Sequence, residues 1–276
     1  MHQHHATGFE AAITANRQLK GDYHILQCAV TPQFEAAASP GQFVHVRLPQ
    51  LEAHLLRRPF SICDCTAGTL TLVYKVVGSG TAHMTRLRPG DCLDLLGPLG
   101  HGFTLPGATA PRTIMLGGGY GCAAMYFYAR RLTAMAAATA PLIMLGARSA
   151  ADILLAEEFR ALGCEVLTAT DDGSCGEHGR ITVLLDKFAA TAPPETPYRL
   201  AACGPMPMLR AIAKLAEHTP QWSDCEISLD EIMCCGVGAC FGCVVKCISN
   251  RTPRGWEYRR SCLDGPVFKA QSVYWQ

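Results

Sequence analysis

Three cysteines near the C-terminal end of the chain have a spacing that is typical of iron–sulfur proteins. Cys235, Cys240 and Cys243 follow the pattern C-x-x-x-x-C-x-x-C, and Cys262 stands nineteen residues further on. This is the ligand spacing of plant-type 2Fe–2S clusters, in which four thiolates converge on two irons. Glycines within the loop allow it to turn tightly around the metal. We therefore predict that these four cysteines hold a 2Fe–2S cluster and that the chain transfers single electrons.

The cysteine pattern leaves alternatives open. Zinc also takes four cysteines, although zinc knuckles usually pair two C-x-x-C units, whereas here a triplet is followed by a lone fourth cysteine. Two further cysteines compete with the predicted ligands. Cys234 is expected to point to the opposite side of the loop, and Cys247 to lie on a strand, so we predict that both are bystander thiols.

A second group of residues has the types that hold a phosphate and a flat ring. An arginine binds a phosphate bidentately, an aromatic side chain packs on a ring, and a serine hydrogen-bonds the ring edge. The glycine loop that follows the next strand leads into a helix predicted over 82–87, whose first N–H groups favour a phosphate. The alternatives are a surface arginine beside a buried phenylalanine, and an ordinary β-turn. The candidate cofactor-binding residues are Arg58, Pro59, Phe60 and Ser61, followed by Lys75, Val76, Val77, Gly80 and Thr81.

A third group lies where a doubly wound sheet binds dinucleotides. Gly118, Gly119 and Gly121 separate a buried strand from an alanine-rich helix, the position where a pyrophosphate meets a helix N-terminus. Cys203 and Gly204 follow a later strand, where they are expected to lie beside a nicotinamide ring. The alternative for this pair is a buried cysteine followed by a proline that starts a helix.

Strand and helix patterns divide the chain into three predicted domains. Residues 1–107 contain short strand-like runs separated by glycine and proline turns, which indicates an antiparallel β-barrel. Residues 108–220 alternate strands and helices, which indicates a doubly wound parallel α/β sheet. Residues 221–276 are cysteine-rich, and so small a domain is expected to depend on its metal. Further boundaries expected from the patterns are an all-β region that starts near residue 19 with its first strand at 23–30, a helix that ends near residue 140, and a helix over 153–162.

The composition excludes several function classes. The 276 residues have a formal net charge of +1 and 17% charged residues, which gives no electrostatic case for nucleic acid. The apolar stretches are too short to span a membrane, and the N-terminus lacks a signal-peptide pattern. Fifteen cysteines, odd in number and scattered outside the loop, do not fit a secreted disulfide framework. We expect a cytoplasmic protein in which His2, His4 and His5 belong to a disordered or incidental terminus.

The order of these motifs resembles one family. Arg-Arg-Pro-Phe-Ser-Ile at 57–62, Lys-Val-Val-Gly-Ser-Gly-Thr at 75–81, Cys-Gly-Pro-Met-Pro-Met at 203–208 and Cys-Leu-Asp-Gly-Pro-Val-Phe at 262–268 accompany the cysteine loop. Together they are similar to electron-transfer subunits of dihydroorotate dehydrogenase B, in the ferredoxin-NADP reductase superfamily. The resemblance implies an FAD-binding barrel, an NAD(H)-binding sheet and a C-terminal 2Fe–2S domain. It also implies a partner, the FMN-containing catalytic subunit that oxidises dihydroorotate to orotate in pyrimidine (UMP) biosynthesis, in a heterotetramer of two plus two subunits.

The resemblance further implies roles for individual residues. Arg58 is expected to hold the FAD phosphate, and Ser61 to lie near the reactive nitrogen of the flavin. A flavin accepts two electrons together and releases them singly, so it connects hydride chemistry with a one-electron cluster. No residue of this chain is expected to act as an acid or base on dihydroorotate. The residues expected to line the flavin ring or the pyrophosphate are Val76, Val77, Gly80 and Thr81.

Other functions stay open on the sequence alone. One is the reductase subunit of another complex of the same plan, such as an NADH-dependent ferredoxin oxidoreductase or a sulfide dehydrogenase. A non-catalytic, zinc-stabilised adaptor is a third interpretation. The choice of NADH over NADPH rests on the resemblance, because Arg148 is either a 2′-phosphate contact or a solvated surface arginine. Residues 264–268 and 240–242 are the expected docking edge for the partner subunit.

Overall fold

The architecture is described from a computed structural model that covers residues 7–48, 56–107, 109–135, 139–193, 195–222 and 224–275. The N-terminal histidines and the predicted boundary at residue 108 lie outside the described residues. Within these ranges, no helix combines the length and the apolar character needed to cross a bilayer. The predicted barrel, parallel sheet and small C-terminal unit are all present.

A closed antiparallel barrel forms the first part of the chain. Its elements are β1 (Thr7–Lys20), β2 (Tyr23–Ala29), α1 (Pro32–Ala37), β3 (Phe43–Arg47), β4 (Arg58–Thr66), β5 (Thr69–Lys75), α2 (Ser79–Met84) and β6 (Cys92–Leu99). The strands are hydrogen-bonded in the order β1-β2-β5-β4-β3-β6, and β6 returns to β1. Side chains alternate between the two faces of each strand, and the inward set fills the barrel with Leu26, Leu70 and Leu72, all fully buried.

The barrel starts earlier than the sequence pattern predicts. β1 has 14 residues and begins at Thr7, whereas the pattern starts the all-β region near residue 19 and its first strand at residue 23. Only Ala11 and Ile13 are buried in this strand, so its apolar alternation is weak. The strand forms because it pairs with β2 along one part and with β6 along the other. β1 is therefore a strand because it closes the barrel, and not because its own residues favour a strand.

A parallel sheet with helices on its faces follows the barrel. Its elements are β7 (Thr113–Gly118), α3 (Cys122–Thr133), β8 (Leu142–Ala147), α4 (Ala156–Ala161), β9 (Glu165–Thr170), β10 (Glu177–His178), α5 (Thr182–Thr191), β11 (Arg199–Cys203) and α6 (Met206–His218). The strand order is β10-β9-β8-β7-β11, with all neighbours parallel. β7 and β11 are buried along their whole length, as central strands covered on both faces are. The predicted doubly wound sheet is confirmed.

Two helices of the sheet are shorter than predicted. α3 ends at Thr133 rather than near residue 140. α4 covers only Ala156–Ala161 of the predicted range 153–162. Leu155, immediately before α4, has a φ of 59°, which is incompatible with a helix. The apolar pattern at 153–155 therefore reflects buried loop residues and not a first helical turn.

The last segment is divided between the sheet and a small hairpin. Its elements are β12 (Asp224–Ser228), β13 (Val244–Ile248), β14 (Trp256–Arg260), α7 (Ser261–Asp264) and β15 (Val267–Lys269). β12 pairs parallel with β11, and β15 pairs antiparallel with β12, so both extend the sheet to seven strands. β13 and β14 form a separate hairpin. Residues 221–276, predicted as a domain of their own, therefore share the hydrophobic core of the sheet.

A buried charge network joins the barrel, the sheet and the last segment. Arg199 on β11 donates from Nε to an Asp224 carboxylate oxygen at 2.7 Å, and from Nη2 to the Thr104 carbonyl at 3.2 Å. Glu226 on β12 accepts hydrogen bonds from the hydroxyl and the N–H of Thr104, at 2.6 and 3.0 Å. Lys269 on β15 pairs with Glu226 at 3.2 Å. Arg199 and Glu226 are both buried, so their charges depend on these partners.

Replacing Arg199 by alanine is expected to lower the free energy of unfolding by about 3 kcal/mol, because Glu226 then keeps only Lys269 as a counter-charge. The urea midpoint of the cofactor-loaded protein measures this loss. The matched control is Arg160→Ala, which removes an exposed pair with Glu157 and is expected to cost less than about 0.5 kcal/mol. Equal midpoints for the two variants would contradict a structural role for the network.

Candidate functional site

The four predicted cluster ligands come together at one place. Cys235, Cys240 and Cys243 lie on the loop between β12 and β13, and Cys262 lies on α7. Their thiols form two contacts, Cys235 with Cys240 and Cys243 with Cys262. Cys243 and Cys262 are buried, whereas Cys240 is exposed. The site therefore reaches from the protein core to the surface.

Each of the four sulfurs accepts at least one backbone N–H group. Gly236 and Gly238 have φ angles of 71° and 77°, a region open to glycine, and they turn the loop back on itself. Hydrogen bonds of this kind stabilise thiolates and tune a bound cluster. The donors are the N–H groups of Gly238, Ala239, Gly242 and Cys262, which bond to the sulfurs of Cys262 (3.2 Å), Cys235 (3.3 Å), Cys240 (3.4 Å) and Cys243 (3.4 Å), respectively.

The pKa of Cys235 reflects this loop. Burial acts to raise it, but hydrogen bonds from the backbone of Cys240, Val237 and Ala239 outweigh burial and lower the pKa of Cys235 to about 7. At neutral pH a larger share of this thiol is ionised than of an ordinary cysteine. Because the thiolate is the form that binds metal, the loop favours ligation at Cys235.

The grouping of the sulfurs in pairs fits two irons rather than one zinc ion. A mononuclear site needs three or four ligands around a single point. Here the sulfurs stand as two pairs, Cys235 with Cys240 and Cys243 with Cys262. A 2Fe–2S cluster takes four thiolates shared between two metal ions, so two neighbouring pairs match its donor set.

The two competing cysteines have different surroundings. Cys247 is 1% exposed and belongs to the hydrophobic core of the sheet, where burial raises its pKa. A thiol of this kind is inert, as predicted for a bystander. The Cys234 sulfur lies 3.6 Å from the point that a Cβ on Gly242 would occupy, and the Cys240 sulfur lies 3.5 Å from the same point. Both sulfurs therefore face the same side of Gly242, whereas Cys234 was expected to point to the opposite side of the loop.

The barrel residues predicted to hold a phosphate meet at the start of α2. The Arg58 guanidinium crosses Gly80, where a Cβ would lie 3.0 Å from Arg58 Nε. A glycine lets the arginine approach this closely without a clash. Arg58 also donates to the Leu56 carbonyl, which orients the side chain. An arginine placed over the start of a helix suits a phosphate group.

α2 begins earlier than predicted, at Ser79 rather than residue 82. The Thr81 hydroxyl accepts the N–H groups of Val77 and Gly78 at 2.9 and 3.2 Å, which stabilises this early start. These two N–H groups are therefore already bonded within the protein. The predicted phosphate contact at this loop falls to Arg58 and to the helix residues beyond Gly78.

The predicted ring-binding residues differ in their exposure. Phe60 is half-buried and meets Tyr74 edge to face, with ring centroids 6.3 Å apart. Val76 packs partly against the barrel core, while Val77 is 77% exposed and open to a ligand. Phe60 projects from the same face of β4 as Arg58, because residues two apart in a strand share a face.

Lys75 makes a contact between the barrel and the sheet. Its amino group donates to the Tyr23 hydroxyl at 3.2 Å and lies 3.6 Å from the Asp152 carboxylate. The Tyr23 hydroxyl in turn donates to Asp152 at 2.9 Å. The structure thus gives Lys75 a role in joining two parts of the chain, and its role toward a cofactor stays a prediction.

The two glycine segments predicted for the dinucleotide pack directly on one another. A Cβ on Gly121 would lie 2.3 Å from the Cys203 carbonyl oxygen, and one on Gly118 would lie 2.5 Å from the Met208 sulfur. Side chains at these positions would force the segments apart. The segments follow β7 and β11, at the carboxyl edge where the strand order reverses. Dinucleotides bind at such a switch point in doubly wound sheets.

Cys203 and the remaining glycines complete this edge. Burial raises the pKa of Cys203 to about 12, so its thiol is neutral at physiological pH. Gly119 has a φ of 54°, and a Cβ on Gly204 would lie 3.0 Å from the Gly118 Cα atom. The predicted residues therefore form one compact surface with an uncharged thiol at its base.

One contact at this edge has no counterpart in the sequence prediction. The Tyr120 hydroxyl donates to an Asp230 carboxylate oxygen at 3.0 Å, which links the glycine segment to the start of the cluster loop. Burial and the Asp230 charge raise the pKa of Tyr120 to about 12, so the hydroxyl keeps its proton. The sequence feature that could have pointed to this contact is an aromatic residue inside a run of glycines. That residue, Tyr120, is half-exposed in the structure.

Three family models match the chain. An oxidoreductase FAD-binding domain matches residues 10–103, and an oxidoreductase NAD-binding domain matches residues 115–214. The iron–sulfur cluster binding domain of dihydroorotate dehydrogenase B matches residues 230–274. The three cofactor types predicted from the motifs are confirmed by these matches.

Curated relatives match most of the chain. The dihydroorotate dehydrogenase B (NAD(+)) electron transfer subunit of Bacillus caldolyticus is 42% identical over 237 residues, which is 85% of this chain and 86% of the relative. The same subunit of Geobacillus thermodenitrificans is 40% identical over the same shares. A solved structure of an NADH-dependent reduced ferredoxin-NADP oxidoreductase has a TM-score of 0.79 and 27% identity, covering 96% of this chain and 90% of that one. The predicted fold class is confirmed.

Replacing Cys240 by serine is expected to abolish the cluster, because one iron then loses a thiolate. Iron and sulfide per chain, together with the visible absorption of anaerobically purified protein, measure the loss. The controls are Cys247→Ser and Cys234→Ser, which are expected to keep wild-type values. Loss of the cluster in either control variant, or its retention in the Cys240 variant, would contradict this ligand set.

Replacing Gly121 by alanine is expected to slow flavin reduction by NADH about 100-fold, because a shift of roughly 1 Å at this segment misplaces the nicotinamide. Stopped-flow absorption measures the rate, and FAD content is expected to stay at one per chain. Gly107→Ala is the control, since nothing lies within 4 Å of its added Cβ. A wild-type rate in the Gly121 variant would remove this segment from the nucleotide site.

Proposed function

This chain belongs to the family of electron-transfer subunits of dihydroorotate dehydrogenase B. From that membership we propose its function and the residues that bind each cofactor. The chain passes electrons between NADH and a partner subunit in pyrimidine (UMP) biosynthesis. FAD bound here would exchange electrons with the nicotinamide two at a time, as one hydride, and with the 2Fe–2S cluster one at a time, so transfer can run in either direction. The oxidation of dihydroorotate to orotate takes place at the FMN of the partner.

The residues of the barrel and the sheet bind and orient. Arg58 and Gly80 hold the FAD phosphate, with Phe60 and Val77 against the ring and Ser61 at its edge. Gly121 and the segment after β11 position the nicotinamide, and the Cys203 thiol at the base of this surface stays neutral. These roles require no acid or base that acts on dihydroorotate.

The observation that carries this proposal is the contact between the flavin strands and the cluster ligands. Phe43 on β3 stands opposite Ser61 on β4. The same Phe43 belongs to a buried cluster with Met233, Cys243 and Cys262. The proposed flavin-binding strand is therefore one strand away from two of the proposed ligands. Such proximity is what transfer between the two cofactors needs.

We propose the exposed end of the cluster loop as the docking surface for the catalytic subunit. Next to the exposed Cys240 in the chain lies Phe241, 61% exposed, and Ile232, 81% exposed, belongs to the same loop. Apolar side chains this exposed mark interaction surfaces when they occur together. Arg260 stacks over the Phe241 ring at 5.0 Å and holds it in place. Leu263, 41% exposed, adds to the same surface.

Part of the predicted docking edge is elsewhere. Residues 264–268 were expected to face the partner, but Val267 and Phe268 are 9% and 7% exposed. They form β15 and pack into the sheet, so they are not available for docking. Residues 240–242 remain the docking edge that we propose. We propose that two copies of this surface engage two catalytic subunits in a heterotetramer.

We propose NADH rather than NADPH as the nucleotide. Asp171 and Asp172 follow β9 and are exposed, and the Asp172 N–H donates to the Arg148 carbonyl at 3.2 Å. Two carboxylates beside Arg148 disfavour a 2′-phosphate and suit a free ribose hydroxyl. The curated relatives carry NAD(+) in their names, which supports the same choice.

We also propose a cytoplasmic location. All fifteen cysteines are free thiols in the structure, among them eight that are buried outside the cluster site. Free thiols in this number are kept reduced in the cytosol and not in secreted proteins.

Reconstitution with a dihydroorotate-oxidising subunit tests the function. We expect the pair to transfer electrons between dihydroorotate and NAD, and Phe241→Asp to weaken the complex by about 2 kcal/mol, or roughly 30-fold, as loss of an interface anchor does. In the Phe241→Asp variant, the reduction of a small-molecule acceptor by NADH is expected to proceed at the wild-type rate. Binding is measured by analytical ultracentrifugation.

Leu105→Asp is the matched control, since Leu105 is 48% exposed and lies outside the proposed surface. If both variants bind equally well, the docking surface is elsewhere. If NADH reduces the flavin but the wild-type pair never exchanges electrons with dihydroorotate, the pyrimidine assignment fails. The second candidate, a ferredoxin oxidoreductase subunit, is favoured by the similarity to the NADH-dependent reduced ferredoxin-NADP oxidoreductase, and transfer to ferredoxin alone would establish it.

A further inference from the structure

His45 is a buried polar residue whose ring nitrogens lack a hydrogen bond of normal geometry within the described part of the chain. It lies on β3, is 0% exposed, and neither of its ring nitrogens has a partner of normal geometry among the described residues. Buried polar side chains are nearly always hydrogen-bonded, so an exception points to a partner beyond the protein itself. Nothing in the folding of β3 requires a histidine, because its neighbours Val44 and Val46 fill the barrel with aliphatic groups.

The surroundings of His45 place it between the two proposed redox sites. On one side it stands opposite Pro59 on β4, within the proposed flavin motif. On the other side it covers Gly236, where an added Cβ would lie 2.9 Å from the His45 Nδ1 and Cε1 atoms. Gly236 follows directly on the proposed ligand Cys235. The Phe43 ring meets the imidazole edge-on at 5.7 Å and closes the contact toward Met233 and the buried ligands.

An imidazole carries one N–H donor in each of its neutral tautomers and a second one when it is protonated. The Met233 backbone lies within reach of the ring but is not a partner of normal geometry. His45 therefore presents an N–H donor to a contact that is closed to solvent.

We propose that His45 is a positioning residue for electron transfer. Its N–H group donates a hydrogen bond to a sulfur of the iron–sulfur cluster, and its ring packs between the cluster loop and the flavin strands. This inference rests on the proposed cofactors. It adds to the backbone donors of the loop a side-chain donor from the barrel. Hydrogen bonds to cluster sulfurs stabilise the reduced cluster and raise its reduction potential. The barrel thus sets the potential of a cluster that is held by a different part of the chain.

Two substitutions separate the ring from its donor. His45→Phe keeps a flat ring against Gly236 and removes both nitrogens, whereas His45→Asn keeps an N–H donor near the position of Nδ1. We expect the phenylalanine variant to retain iron, sulfide and FAD while its cluster becomes harder to reduce. At a fixed potential, the ratio of oxidised to reduced cluster is expected to rise about tenfold. For one electron, this corresponds to a reduction potential that is lower by about 59 mV. The asparagine variant is expected to recover most of that difference.

Redox titration of the complete subunit, followed by electron paramagnetic resonance, measures the cluster potential. Trp222→Phe is the control, since Trp222 Nε1 is also buried without a partner but lies in the core of the sheet. An unchanged potential in His45→Phe overturns the inference, as does an asparagine variant that behaves like the phenylalanine one. If His45→Phe does not assemble a cluster, His45→Leu, smaller and also without a donor, takes its place. A wild-type protein without FAD or cluster would instead refute the proposed function.

Discussion

The buried charge network around Arg199 is the constraint on which the other contacts depend. Separating Arg199 from Glu226 would leave each buried charge with fewer partners, Asp224 for the arginine and Lys269 for the glutamate. Thr104, in the connector that follows the barrel, is bonded to both. The network therefore fixes the barrel against β11 and β12. Because the cluster loop starts at the end of β12, the same network decides where the loop meets the barrel.

Close approach, rather than flexibility, explains the glycines at the three proposed sites. Gly80 lies beneath the Arg58 guanidinium, Gly121 against the backbone of Cys203, and Gly236 beneath a buried ring. In each case a part of the chain distant in sequence occupies the space of the missing Cβ. The glycines thus bring separate segments into contact, and the proposed cofactor sites lie along these contacts.

The sequence predicts the parts of this structure that depend on local spacing. The cysteine loop is predictable because three of its ligands lie within nine residues, and strand β13 because its residues favour a strand. β1 is not predictable, since its order comes from pairing with two other strands. The placement of β12 and β15 in the sheet, the bond from Tyr120 to Asp230 and the burial of His45 are equally long-range. No local pattern marks such residues, because their role is created by the fold.

The position of the cluster loop between β12 and β15 has a consequence for how such proteins arise. These strands are neighbours, with Ser228 opposite Val267, and the Leu229 N–H donates to the Pro266 carbonyl at 2.9 Å. The chain therefore leaves the sheet and returns to it at the same point. A segment whose two ends already touch can be inserted or removed as a unit during evolution. It can be gained, lost or transplanted to another reductase while the strand order of the host sheet stays the same.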